Sequence, residues 1–430
     1  MNYPIRHKAA NIALTATFIF LACAVSLPAQ TAADYRTNTP DPLIANLPIS
    51  IRNLRSRGTD VFFQGIAGYI TENSVNDFDK IKKAHDWIAL NIRYDTAAYF
   101  SGRYPSQSAS NVISTGLAVC AGYARVFKYL CDLLEIECEI ITGYARGFGI
   151  SMFEEENPYI PNHDWNKVRI YGIWYLIDTT WDAGYINNDR RFSIDYKTEF
   201  LFSDPLIFLH SHFPLNPENQ LLDVPITAQE FIMLPRIRED FFRRAANLTP
   251  VMRKTTEING RFFRMSFTSP LNHFFSFSIQ RNARGNRIDN IINYSTRGGT
   301  HALTLIFQNE GDYGLWFYSS PNAARTRIGI GEFGFRVRFP DVRWGEMPGG
   351  ARLISPETQN LSRSALTEFK VIKGEYNHFV LIHGTSWRYL TPDGDGYFSG
   401  AFIVSSGTIY LAASRTEYGI YETLAEFNVR

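Results

Sequence analysis

Cysteine is scarce in this chain. Four occur in 430 residues, Cys23, Cys120, Cys131 and Cys138, too few for a disulfide framework and without the paired spacing that holds zinc. Charge of one sign is lacking too: 43 Lys and Arg face 42 Asp and Glu, a formal net charge of +1. No basic block is long enough to neutralise a run of phosphates, which argues against nucleic-acid binding. Neither a phosphate-binding Gly-rich loop nor a dinucleotide fingerprint is present, so no cofactor is expected. What the chain has in excess is aromatic: 33 Phe and 23 Tyr, residues that fill large cores and favour strands.

The longest uncharged run lies near the start. Arg6, His7 and Lys8 precede a stretch without charge from Ala9 to Ala33, apolar from Ile12 to Pro28. Residues 1–29 read as an export leader cleaved after Ala29. Two other readings stand beside it. Phe20-Leu21-Ala22-Cys23 is a degraded lipobox that would lipidate Cys23, and the stretch is long enough to remain as a membrane anchor. The chain is expected to be exported to the periplasm, the cell surface or the medium, meeting a membrane only through a leader or lipid anchor. Removal of the leader leaves Cys120, Cys131 and Cys138, an odd set that poses the question of what each thiol is for.

A chain of this length needs more than one core. Polar, Pro-containing residues 30–58 read as a linker or surface strap. Residues 59–225 read as an α+β domain, helices first and antiparallel strands after. Phe62, Ile66, Tyr69 and Ile70 form one helical stripe; Ile81, Ala84, Ile88 and Ile92 form a second, with Asp77 as its N-cap. A Gly, Ser and Pro-rich loop then runs from Asp95 to Thr115, before a third helix from about Val119 to Leu134. Strands are expected at Cys138–Tyr144, His163–Ile170 and Ile173–Thr179, the last two joined by a turn at Tyr171-Gly172. Residues 226–250 read as a charged helical connector. Beyond it, short aromatic and β-branched runs such as Phe274–Ile279, Gly314–Tyr318 and Phe379–Ile382 predict two β-sandwich modules, residues 251–339 and 340–430. His273, His301, His378 and His383 are scattered through them and read as packing or surface residues.

Cys120 stands apart from the other thiols by position. It opens a helix, where unpaired N–H groups and the helix dipole favour an anion and can donate to an oxyanion. Cys131, three turns on, shares the buried face without the terminus, and Cys138 falls in a strand; both read as core. A nucleophilic thiol needs a base and a group to orient that base. With a two-residue turn at Tyr171-Gly172, facing residue numbers sum to 343. His163 then lies diagonally from Asp178 on one sheet face; a one-residue slip would part them. A bland reading, in which Cys120 packs and His163 and Asp178 are structural, fits each residue taken alone.

Three blocks together go further. Gly116-Leu-Ala-Val-Cys120-Ala-Gly-Tyr-Ala, His163-Asp-Trp-Asn166 and Trp174-Tyr-Leu-Ile-Asp178-Thr-Thr-Trp-Asp182 resemble the core of the transglutaminase-like superfamily, which has a papain-like fold. Trp87 to Asp95 resembles the helix and loop before that core. His212 to Leu222, Pro225-Ile-Thr and Tyr421 to Val429 resemble its kyphoscoliosis-peptidase branch. The resemblance implies an α+β cysteine-nucleophile core followed by antiparallel β-sandwich modules. It makes Cys120 the nucleophile, His163 the base and then acid, and Asp178 the orienting group. Asp164 departs from the small residue usual after the histidine; on an extended strand it should point away from the His163 face. The resemblance identifies no side-chain oxyanion donor, and Gln107 is the nearest polar loop residue.

The function these readings imply is a thiol-dependent acyl transferase or peptidase. It would act on protein or peptide amides through a thioester, with a protein or peptide as substrate and the β modules available to a protein partner. The alternative is a catalytically silent scaffold of the same fold that binds a protein partner. A metal site built from Cys131, Cys138 and His163 is disfavoured by their spacing.

Overall fold

The computed structural model describes residues 30–150, 152–269, 273–282, 292–320, 327–339, 347–394 and 396–430. The leader, with Cys23 and Ala29, and Pro340 at the expected module break lie outside the described residues. No helix among those described is long and apolar enough to cross a membrane.

The first core is α+β. Helices α1 (Thr59–Glu72) and α2 (Asp77–Asn91) carry the expected stripes, with Phe62, Ile66, Ile70, Ile81, Ala84 and Ile88 all buried. The cap of α2 is Asn76, whose side chain accepts from the Asp79 N–H at 3.0 Å, one residue before the expected Asp77. The stretch from Asp95 to Thr115 is not all loop: α3 (Thr96–Ser101) is capped by Asp95, and α4 (Ala109–Thr115) by Ser108. Both are short helices whose caps, rather than any apolar period, mark them. Helix α5 (Cys120–Leu133) buries Tyr123, Phe127, Leu130 and Cys131 against α2 and the sheet.

Strands β1 (Cys138–Ala145), β2 (His163–Ile170) and β3 (Ile173–Ile177) are followed by the one-turn helix α6 (Thr179–Ala183). With β4 (Leu201–Ser203) and β5 (His212–Pro214) they form an antiparallel sheet ordered β4-β3-β2-β1-β5. Tyr171 and Gly172 both have positive φ, 51° and 85°, the primed-turn conformation that suits a two-residue hairpin. The resulting register pairs Asn166 with Ile177 and Ile170 with Ile173, sums of 343 as the turn requires.

Of the two readings of residues 30–58, linker or surface strap, the structure has the strap, built of short helical turns. The short helix Pro42–Ala45 buries Ile44 in the first core; the Asp41 N–H donates to Asp86 at 2.7 Å and its carboxylate pairs with Lys83. Apolar residues too few to show a period were enough to dock it.

The C-terminal half is β-sandwich. One aromatic core gathers Phe263, Phe267, Phe317, Phe333 and Phe335, and a second gathers Phe369, Phe379, Leu411 and Phe427. The sandwiches are joined more closely than the sequence suggests. Gly419–Val429 pairs along Gly407–Ser414 in the second module, and its first residues pair with Phe262–Arg264 of the first, so one nine-stranded sheet spans both. Pairing is antiparallel within the main ladders, with Thr255–Asn259 and Asn360–Leu361 added in parallel. The connector 226–250 is only partly helical, at Ala228–Met233 and Glu239–Arg244; Arg236–Ile237 and Ala246–Thr249 already belong to the module sheets.

Candidate active site

Cys120 opens α5 with Val119 as cap, and no side chain caps that terminus. The first N–H groups of a helix lack acceptors one turn back, and Cys120, partly exposed, is the first residue of this turn. Gln107 fixes the approach to this turn. Its Oε1 accepts from the Val119 N–H at 3.0 Å and its Nε2 donates to the Pro105 carbonyl at 3.0 Å. The same Oε1 would lie 2.6 Å from a Cβ placed on Gly122, so the glycine lets the loop sit against the helix. Both ends of the Gln107 amide are thus engaged in holding the loop.

His163 is the first residue of β2, and Asp178 is the cap of α6 just past β3. The hairpin register brings them together: His163 Nε2 lies 2.7 Å from Asp178 Oδ2. The other carboxylate oxygen, Oδ1, accepts from the Thr180 and Trp181 N–H groups at 2.9 and 3.2 Å. Asp178 is therefore a helix cap rather than the strand-end residue expected, and capping fixes its rotamer. The Cys120 sulfur also bears electrostatically on the His163 ring. With Nε2 turned to Asp178, the nitrogen left for sulfur is Nδ1. Asp164 lies on the outer face, accepting from the Thr142 hydroxyl at 2.6 Å.

One further residue belongs to this group. His212, at the start of β5, places Nε2 3.1 Å from the same Asp178 Oδ2, and its Nδ1 is 2.7 Å from the Ser211 hydroxyl. Its segment is quoted above only for a resemblance; no spacing relates it to Asp178, because β5 reaches the site by pairing with β1, Ala145 opposite His212. Gly143 permits that pairing, since a Cβ there would fall 2.4 Å from the Phe213 carbonyl and 2.5 Å from the Trp165 ring. Around the two imidazoles stands an aromatic box. Phe208 stacks on His212 at 4.1 Å, Trp181 lies 4.4 Å from it, and Trp165 stacks on His163 at 6.0 Å.

Electrostatics separate the two histidines. Burial alone would lower the pKa of His163, but the Asp178 carboxylate and the Cys120 sulfur outweigh it and raise it to about 10. In His212 burial wins over Asp178, and the pKa falls to about 4. Burial would raise Asp178, yet the imidazoles, His163 foremost, hold it well below the usual carboxylate range. At neutral pH the group is an imidazolium, a carboxylate and a neutral imidazole. His163, Asp178 and His212 offer ligand atoms within 4.8 Å of one another, but two N–H donors on one carboxylate already account for that closeness. Cys131 and Cys138 are buried; burial first, then the Cys138 thiol, pushes Cys131 up.

Behind the site lies a second buried pair of contacts. His85 on α2 meets Asp86 at 3.1 Å and Asp182 at 3.0 Å, and Asp182 is the residue after Trp181 on α6. The loop after β1 is held from the other side. Glu156 receives Arg146 at 2.8 Å, Lys254 at 2.6 Å and Arg236 at 3.3 Å, tying the five-stranded sheet of the first core to the first β module.

The helix-borne thiol, strand-borne imidazole and carboxylate stand here in a papain-like order. Residues 64–179 match the family model of the transglutaminase-like superfamily; this part of the chain is a transglutaminase-like domain, in a superfamily that includes cysteine peptidases and acyltransferases. Its curated relatives place it on the kyphoscoliosis-peptidase-like branch. Kyphoscoliosis peptidase of Homo sapiens is 28% identical over 163 residues, 38% of this chain and 24% of that protein. Hillarin of Drosophila melanogaster is 24% identical over 192 residues, 42% and 23%. The chain thus spans about a quarter of the length of these relatives. Among solved structures, a putative cysteine protease from Cytophaga hutchinsonii is 27% identical, covering 33% of this chain and 45% of that one, with a TM-score of 0.23.

Proposed function

We propose that the protein is an exported thiol-dependent acyl transferase or peptidase acting on protein or peptide amides. The observation that carries this reading is the 2.7 Å contact of His163 Nε2 with Asp178, on an imidazole whose pKa the Asp178 carboxylate and the Cys120 sulfur raise. Cys120 sulfur, its proton held on His163, attacks the amide carbonyl, and the oxyanion is met by N–H groups at the start of α5. The His163 proton passes to the leaving nitrogen, the C–N bond breaks and a thioester remains. Water or an amine then gives a proton to His163 and attacks the thioester, and the thiolate leaves. Asp178 keeps the ring oriented and stabilises the imidazolium without accepting its proton. The substrate is a protein or peptide, and the β modules offer surface to a protein partner.

A silent scaffold is the second reading. A peptide library incubated with the wild-type chain and with Cys120→Ala decides between them. Cleaved or transamidated products from the wild type alone support the enzyme; identical product profiles support the scaffold.

A further inference from the structure

His212 lies outside residues 64–179, yet it touches the group that orients the imidazole. Asp178 Oδ2 lies 2.7 Å from one imidazole and 3.1 Å from another, while Oδ1 takes two backbone N–H groups. An ionised carboxylate only accepts, so both facing nitrogens must carry hydrogen. For a neutral His212 this fixes the tautomer. Nε2 bears the proton, and Nδ1 accepts from the Ser211 hydroxyl. Four donors therefore saturate Asp178, one of them from a ring clamped between Phe208 and Trp181.

We propose that His212 is a positioning residue for the reaction, an imidazole that pins Asp178 Oδ2 beside His163, the two rings 5.5 Å apart. This rests on the Cys120-His163-Asp178 reading above. A carboxylate with one imidazole partner can follow the ring as it moves between sulfur and leaving group. With a second donor on the same oxygen its angle is fixed, and part of its charge is spent on His212. His163 then faces a weaker base and gives up its proton more readily to the leaving nitrogen. The charged and titratable groups bearing on this oxygen are His163 from β2, His212 from β5 and Tyr123 from α5; Cys120 bears on the far side of His163.

Two variants of the full-length chain test this. His212→Phe keeps a ring in the aromatic box and removes the donor. His212→Gln puts an amide N–H near the position of Nε2. On a model amide, His212→Phe should lower kcat by roughly 10- to 100-fold with KM unchanged within about 2-fold, and His212→Gln should recover most of the loss. In histidine-labelled protein followed by NMR, the His163 titration should move upward in His212→Phe and return in His212→Gln. A wild-type His163 titration in His212→Phe, with unchanged kcat, overturns the proposal, as does equal loss in both variants without a shift. The titration needs no turnover. An inactive wild type would defeat the enzyme reading while the NMR result still decides whether His212 acts on Asp178.

Discussion

The two halves of the molecule treat buried histidine differently. In the α+β half, His85, His163 and His212 are buried and each touches a carboxylate. In the β modules, His301 is also largely buried, but its partners are the Tyr294 hydroxyl at 2.6 Å and the ring of Phe267 stacked at 4.8 Å. A stacked, hydrogen-bonded neutral ring asks nothing of its surroundings beyond shape and one partner. A carboxylate-bound ring imposes a charge state, and the fold must meet the cost of desolvating it. The first half is therefore organised to hold charge in fixed places, the second to build cores and present surface.

Breaking that contrast should cost most at Asp178. Asp178→Asn keeps volume but removes the charge that holds His163 protonated, and kcat should fall by about 10²- to 10⁴-fold in a steady-state assay. The fold, checked by near-UV circular dichroism, should persist. Next comes Glu156, where three cations share one carboxylate. Glu156→Gln leaves Arg146 and Lys254 buried without a counter-charge, a loss of about 3 kcal/mol or more in denaturant unfolding.

The two site histidines should also shape stability against pH with opposite signs. The folded pKa of His163 is raised to about 10, so its contribution is full below the unfolded value of about 6.5 and is lost as pH rises through 10. His212 is depressed to about 4; the unfolded chain takes up its proton first, so this contribution is lost as pH falls from about 6.5 to 4. Thermal unfolding across pH should show the acid arm flattened in His212→Phe and the alkaline arm flattened in His163→Phe. Identical profiles in both variants would erase the distinction. The smallest effect belongs to His301. His301→Leu should cost about 1 kcal/mol, one hydrogen bond, and leave turnover untouched.

Much of the first half could be read from residue order because its signals are local. Helical stripes fixed α1, α2 and α5, and a two-residue turn with a known sum permitted His163 and Asp178 on one sheet face. Short-range chemistry without a period was harder. The docked strap at 30–58 and the capped helices α3 and α4 carry few apolar residues each, and Asp178 proved to be a cap. His212 was invisible for another reason: it reaches the site through the β1–β5 pairing, across 34 residues from Asp178, and no spacing rule encodes that. In the β modules the strands were legible from alternation, whereas the sheet shared by Phe262–Arg264 and Gly419–Tyr421 is a long-range pairing that alternation does not specify.

The central claim is that, among Cys120, Cys131 and Cys138, Cys120 is set apart for chemistry. Brief iodoacetamide labelling of the folded chain, followed by peptide mapping, measures it directly. Cys120 should be alkylated at least about 10-fold faster than Cys131 or Cys138, which are buried on α5 and in β1, and His163→Ala should slow it near neutral pH. Equal labelling of the three thiols, or a Cys120 rate indifferent to His163, would mean that Cys120 is a packing residue and that the account of the site is wrong.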